Sequence, residues 1–245
     1  MLRDLLDAGL PAPARGGFTT RAGGVSAPPY DSLNLSVKGE DEWRRVHANR
    51  DLLARSFDLG YDDLVLAQQV HGREVAVVDR SSSRAAQGGI AGVDALVTAT
   101  PGLGLLVLAA DCMPVLLADP SAGVVGAAHA GRQGLAAGVL QATVEAMRDL
   151  GARDVTAVVG PAAGRCCYEV AQQLADEVEA TVPGSRSSTR QGTPSVDLRA
   201  GAARLLAGLG VAVRHVEACT IDDDRFYSYR RDRETGRHGG LVVLT

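Results

Sequence analysis

What this sequence lacks removes several classes of function. Charge of one sign is missing: the formal net charge is -4 over 245 residues, and the acidic side chains are spread along the chain. That leaves no basic footprint for nucleic acid and no polybasic patch for a membrane surface. The run Arg230, Arg231, Arg233 is local, and reads as a solvated or substrate-facing loop. No apolar run reaches membrane-spanning length without interruption, and the first residues lack the charged, apolar and small-residue order of a signal peptide. A cytoplasmic protein is expected, and its four cysteines, Cys112, Cys166, Cys167 and Cys219, are then reduced thiols rather than a disulfide framework. Histidine pairs are also missing. His47, His71, His129, His215 and His238 are the five present, and no two are separated by a single residue. The multiple His-x-His ligands of a three-copper oxidase cluster therefore cannot be built from one chain.

What is present is a core. At 46% hydrophobic content the chain can bury a substantial interior, and we read residues 1–245 as a single domain. The segment FTTRAGGVSAPPYDSLNLS is too rich in turn residues for a regular element and reads as a structured loop. Trp43, Val46, Leu53 and Phe57 recur near helical spacing and predict a helix over 42–57. LVLAQQV predicts a strand ending at His71, with REVAVVD as its hairpin partner. ALVTA, LGLLVLAA, PVLLAD and GVVGAAHA, separated by Gly, Pro and Asp, predict buried strands. A helix is expected from Leu135 to Leu150, a strand at VTAVVG and a helix over YEVAQQLADEVEATV. PGSRSSTRQGTPS should be an exposed mobile loop, followed by a helix from Asp197 to Leu209 and strands VAVRHVEA and GGLVVLT. Strands and helices mix without strict alternation, which favours an α+β layered domain over a doubly wound sheet.

The chemistry gathers at strand ends. His71 in QQVHG, Cys112 in AADCMP and His129 in AAHAGRQG each close an apolar run. Two imidazoles and one thiolate suit Zn²⁺, and three protein ligands leave a position open for water or substrate, as in catalytic zinc sites. Asp111 sets a carboxylate beside the thiol, a costly neighbour in a buried setting unless it holds a ligand or carries a proton. Gly131 and Gly134 around Arg132 describe a strand-to-helix turn able to take an anion. Arg21 lies in a glycine-bearing loop, with Ser32 and Asn34 as polar partners for a substrate. Phe226, Tyr227 and Tyr229 next to Arg230 suggest stacking on a planar ring beside an anion contact. On the bland reading, Cys112 is a small core residue and the glycine turn is only a turn.

Taken in order, TTRAGGVS, SLNLS, NRDLL, QQVHG, AADCMP, HAGRQG, GPAAGRCCYEV and FYSYRRD followed by TGR resemble the YfiH family, formerly labelled a multicopper polyphenol oxidoreductase or laccase domain. The resemblance covers nearly the whole chain. It implies a four-layer α-β-β-α sandwich with mixed sheets and a zinc bound by His71, Cys112 and His129. It also implies phosphorolysis of adenosine and related purine nucleosides, inosine, guanosine or methylthioadenosine among them, with adenosine deamination as a possible second activity. The expected partners are then a purine nucleoside and phosphate, with Arg21 holding the phosphate, Asp111 and Cys112 in the catalytic centre, and Asn34, Arg132 and Arg230 binding substrate. The protein is expected as a monomer or weak homodimer. Two departures stand out. The family commonly reads HAGWRG where this chain has Arg132 and Gln133, and SLNLG followed by GD where it has SLNLS followed by Gly39-Glu40.

Two rival readings use the same residues. In one, Cys112 is the nucleophile of a metal-free hydrolase or amidase, with His71 or His129 as its base. In the other the protein is a non-catalytic partner in cell-envelope or division processes. Copper in place of zinc is disfavoured by the histidine count. The H-x-E and P-C-x-x-C signature of cytidine-type deaminases is absent, so a deaminase activity would be a convergent use of the centre.

Overall fold

The computed structural model describes residues 2, 4–85 and 88–245. In chain order its strands are β1 (Leu6–Asp7), β2 (Ala14–Phe18), β3 (Leu64–Gln68), β4 (Val75–Val77), β5 (Ile90–Ala91), β6 (Ala95–Thr98) and β7 (Gly104–Ala109). They continue with β8 (Met113–Asp119), β9 (Val124–Ala130), β10 (Thr156–Val159), β11 (Arg186–Ser188), β12 (Pro194–Val196), β13 (Ala212–His215) and β14 (His238–Leu244). The helices are α1 (Trp43–Arg55), α2 (Arg80–Ala85), α3 (Arg132–Ala137), α4 (Val139–Asp149), α5 (Gln172–Thr181), α6 (Leu198–Gly208) and α7 (Tyr229–Asp232).

Twelve strands form two mixed sheets, ordered β1-β2-β14-β7-β3-β5 and β13-β10-β8-β9-β6-β4, while β11 and β12 pair only with each other. Alternation along the strands then fixes the layers. On β7, Leu105 and Val107 point between the sheets, where they meet Leu116, Val125, Ala127 and Val158 of the second sheet. Leu106, between them in sequence, points the other way and joins Leu53 and Phe57 on the α1 side. On β8, Leu116 and Ala118 face the first sheet, whereas Met113, Val115 and Leu117 pack against Leu140, Val144 and Met147 of α4. Both faces of these strands are buried, so they read as continuous apolar runs rather than alternating ones. The result is the expected α+β sandwich of four layers, α-β-β-α: α1, the first sheet, the second sheet, and a layer containing α3 to α6.

Four local expectations need correction. β3 and β4 are not a hairpin: β3 pairs in parallel with β5 and β7 in the first sheet, and β4 pairs in parallel with β6 in the second. The chain passes from one sheet to the other between them, through His71. The helix expected from Leu135 to Leu150 is two, α3 and α4, divided at Gly138 (φ 93°), a left-handed conformation that glycine adopts without cost. α5 starts at Gln172, leaving Tyr168 to Val170 in a loop. The Ser-rich segment expected as a mobile loop contains the antiparallel pair Arg186–Ser188 and Pro194–Val196.

Candidate metal centre and anion pocket

The crossings between the two sheets position the centre. His71 lies where the chain leaves β3, and Cys112 lies in the three-residue link between β7 of the first sheet and β8 of the second. His129 is the sixth residue of β9, paired with Pro114. Their donor atoms, the Cys112 Sγ and a ring nitrogen of each histidine, all fall within 4.8 Å of one another. Cys112 Sγ is 3.8 Å from His71 Nε2, and the two imidazoles stand edge to face with centroids 4.9 Å apart. Gly131 permits this convergence: a Cβ there would sit 2.9 Å from Cys112 Sγ and 3.0 Å from the His71 ring.

Asp94, which the sequence reading did not single out, organises the centre from behind. It is fully buried just ahead of β6. Its Oδ1 lies 2.8 Å from His129 Nδ1 and accepts the His71 N–H at 3.0 Å, and its Oδ2 accepts the N–H groups of Gly72 and Val70 at 2.7 and 3.1 Å. Burial pushes the Asp94 carboxyl up, but His129 and these backbone donors together hold it below the usual carboxylate range. With Nδ1 engaged, the His129 Nε2 is left to serve the centre. Burial also works against charge on Cys112 and His129, and there too the partners prevail. The positive field of His129 brings the thiol down to about 6, and the Cys112 thiolate with Asp94 brings the imidazole up to about 9. The two shifts support each other and favour a thiolate beside an imidazolium at neutral pH, so a metal taking both ligands would displace the His129 proton. A two-histidine, one-thiolate donor set with a buried carboxylate behind one imidazole fits zinc.

In front of the centre opens a cavity of about 590 Å³, lined by His71, Cys112 and His129 together with Asp111, Tyr168, Tyr229 and four arginines, Arg132, Arg230, Arg233 and Arg237. None of the four arginines is ion-paired with a carboxylate among the described residues. Arg230 lies over the Tyr168 ring at 4.6 Å and donates to the Glu169 carbonyl, while Arg233 and Arg237 flank the Tyr229 ring at 5.9 Å each. Burial lowers the Arg237 guanidinium from its ordinary range, although nearby anionic groups oppose the shift. Asp111 has φ 90°, and its carboxylate accepts the Thr220 hydroxyl and the Arg230 N–H, both at 2.7 Å.

Other residues named from the sequence lie elsewhere. Arg21 does not line this cavity: it is bound to the Asp31 carboxylate and carbonyl and lies over the buried Tyr227 ring at 5.0 Å. Asn34 is fully buried, and its side-chain oxygen accepts the N–H groups of Ser36 and Arg237. It therefore fixes the backbone of Arg237 rather than lining the cavity. Phe226 and Tyr227 are core residues, leaving Tyr229 as the exposed aromatic of that segment. Arg231 is tied to Asp232 and to the carbonyls of Thr220 and Phe226. Tyr168 and Arg237 were not singled out as site residues because they are distant in sequence from the strand-end motifs.

Fold and site together define an α-β-β-α sandwich with a two-histidine, one-cysteine centre where its sheets meet, facing a basic cavity. The chain belongs to the YfiH family: residues 15–245 match the family model described as multi-copper polyphenol oxidoreductase laccase. It is 53% identical over 93% of both chains to a Streptomyces griseus protein named as a purine nucleoside phosphorylase. It is 49% identical to one of the same name from Mycobacterium tuberculosis, over 92% of this chain and 90% of that one. Among solved structures, YlmD from Geobacillus stearothermophilus superposes with a TM-score of 0.91 at 34% identity, covering 100% of this chain and 97% of that one. YfiH from Bacillus licheniformis gives 0.85 at 31% identity, covering 95% and 93%.

Proposed function

We propose that this chain is a zinc-dependent purine nucleoside phosphorylase acting on adenosine and related nucleosides, with deamination of adenosine as a second activity of the same centre. The observation that carries the reading is the cavity, in which four arginines without carboxylate partners face a centre prepared to hold a metal. Guanidiniums without carboxylate partners among the described residues, in a concave site, call for an anionic ligand, and the relatives' printed names supply its class, phosphate with a nucleoside. Held by His71, Cys112 and His129, zinc would contribute Lewis-acid charge at its open coordination position.

The chain's own residues do the rest. Arg132, Arg230, Arg233 and Arg237 gather the phosphate, and Tyr168 and Tyr229 offer faces to the base. Asp111 holds the Arg230 backbone. A phosphate oxygen forms the new bond to the sugar C1′ as the bond to the purine nitrogen breaks, and the leaving purine takes up the proton that hydrogen phosphate gives up. The reading includes a cytoplasmic setting and a monomer or weak homodimer; none of the described helices is long and apolar enough to cross a membrane.

The deciding experiment incubates purified protein with adenosine, with and without phosphate, and follows adenine, ribose 1-phosphate and inosine. Phosphate-dependent release of adenine with an equal amount of ribose 1-phosphate is expected, and no turnover of any purine nucleoside would sink the proposal. A metal-free cysteine hydrolase is favoured by one observation only, the acidified Cys112 thiol beside two imidazoles. It requires protein without stoichiometric zinc, in which alkylation of Cys112 abolishes hydrolysis.

A further inference from the structure

A second cluster of soft donors borders a different cavity, which Cys166 and Cys219 line. Cys166 and Cys167 lie in the loop between β10 and α5, and Cys219 lies beyond β13; their sulfur atoms all fall within 4.8 Å of one another. All three are partly buried free thiols. The surrounding backbone is fixed. Ala162 and Cys219 form a parallel bridge, the Gly164 N–H donates to Cys219 Sγ at 3.2 Å, and Arg190 N–H binds the Cys166 carbonyl at 3.1 Å. Ser195 Oγ donates to the Arg165 carbonyl at 2.6 Å, tying the loop from its other side. Gly164 leaves the space between the sulfurs open: a Cβ there would lie 3.2 Å from Cys219 Sγ and 3.3 Å from Cys166 Sγ.

We propose that Cys166, Cys167 and Cys219 form a second metal site, an all-sulfur one for a soft d10 cation such as Zn²⁺ or Cu⁺. Three thiolates with no oxygen donor among them select for soft ions and against Mg²⁺, Ca²⁺ or Mn²⁺. Sulfurs about 2.3 Å from a shared tetrahedral ion stand about 3.8 Å apart. Cys166 Sγ and Cys167 Sγ, now 2.8 Å apart, therefore separate by about 1 Å, a movement that rotation of one side chain supplies. Each thiol protonated before binding releases its proton to solvent. Three thiolates around Zn²⁺ leave a single negative charge; Arg190, which lines the adjoining 480 Å³ cavity with Cys166 and Cys219, lies on that side, held by the Asp222 carboxylate at 2.7 and 2.8 Å.

A disulfide between the neighbours Cys166 and Cys167 is the poorer use of the cluster. Consecutive Cα atoms stand about 3.8 Å apart, below the range of about 4.4–6.8 Å that ordinary disulfides span. Such a bridge would also leave Cys219 without a role.

The test separates this site from the first. A full-length chain carrying His71→Ala and Cys112→Ser is reduced, stripped of metal and titrated with Co²⁺, then with Zn²⁺ as competitor. One equivalent of Co²⁺ is expected, with the intense sulfur-to-metal charge-transfer band of a three-thiolate site, against two equivalents for the native chain. Adding Cys219→Ser should weaken binding at least a hundredfold and reduce the band, with an unchanged circular dichroism spectrum. Cys166→Ser should do the same, and serves if the Cys219 variant does not fold. No cobalt uptake by the double variant, or uptake indifferent to both serine substitutions, overturns the proposal. So does a Cys166–Cys219 disulfide found by mass spectrometry in the folded chain under reducing conditions.

Discussion

Asp94 and His129 are joined twice: the Asp94 Oδ1 lies 2.8 Å from His129 Nδ1, and the Asp94 carbonyl accepts the His129 N–H at 2.7 Å. The same carboxylate holds the backbone of His71. One buried side chain therefore sets two of the three candidate ligands, so that damage to it should be felt as lost metal affinity before lost fold. Asp94→Asn keeps the volume but removes the charge and some acceptor capacity. We expect zinc affinity to fall by about 10- to 100-fold, read by competition with a chromogenic chelator. An affinity within twofold of the native chain would remove Asp94 from the centre.

The arginines of the cavity should separate by their partners. Among the described residues Arg233 has no carboxylate partner and lies against the Tyr229 ring, whereas Arg231, two residues earlier, is bound to Asp232 and to backbone carbonyls. Arg233→Ala should raise the KM for phosphate on the order of tenfold or more, the worth of a charge-assisted hydrogen bond, and change the KM for nucleoside much less. Arg231→Ala should instead lower the melting temperature. Steady-state kinetics with phosphate varied at saturating nucleoside decides, and equal phosphate KM values for native chain and Arg233 variant would count against the anion pocket.

His238 gives a pH dependence of stability. It is fully buried on β14, and among the described residues its ring nitrogens have no hydrogen-bond partner beyond a weak contact with the Pro161 backbone. Burial brings its pKa down to about 3, opposed by the Pro161 backbone contact and helped by the Arg237 charge. The unfolded chain takes up this proton below about 6.5 while the folded chain refuses it until about 3. The contribution is thus fully present above pH 6.5 and declines as the pH falls through that window, by about 1.4 kcal/mol per unit. Chemical denaturation from pH 7 to 4 should show a steeper loss for the native chain than for His238→Gln. Parallel curves would contradict the account.

Much of this fold was legible because the strands are short apolar runs punctuated by Gly, Pro and Asp, and β8 and β9, buried on both faces, could hardly be anything else. Their partners were not legible. Local alternation makes LVLAQ and VAV strands, yet nothing in either run says that they belong to different sheets. The glycines beside Arg21 read as room for a ligand, and in the fold they belong to a loop packed on Asn49 and Ser32. In sequence Asp94 looks like a turn residue ahead of a buried strand, and only the crossing of the chain between sheets brings His71 and His129 to it. The arginines of the cavity come from the start of α3, from α7 and its end, and from the residue before β14. Their shared purpose exists only in three dimensions.

Because His71 and Cys112 lie on the crossings between sheets and His129 on a strand of the second sheet, an ion held by all three is a fastener as well as a reagent. Such an ion would pin the two sheets together at one end. Its binding free energy is then folding free energy. Chelation should therefore loosen the very walls from which the basic cavity is made, and the chain would lose its grip on anion and metal together.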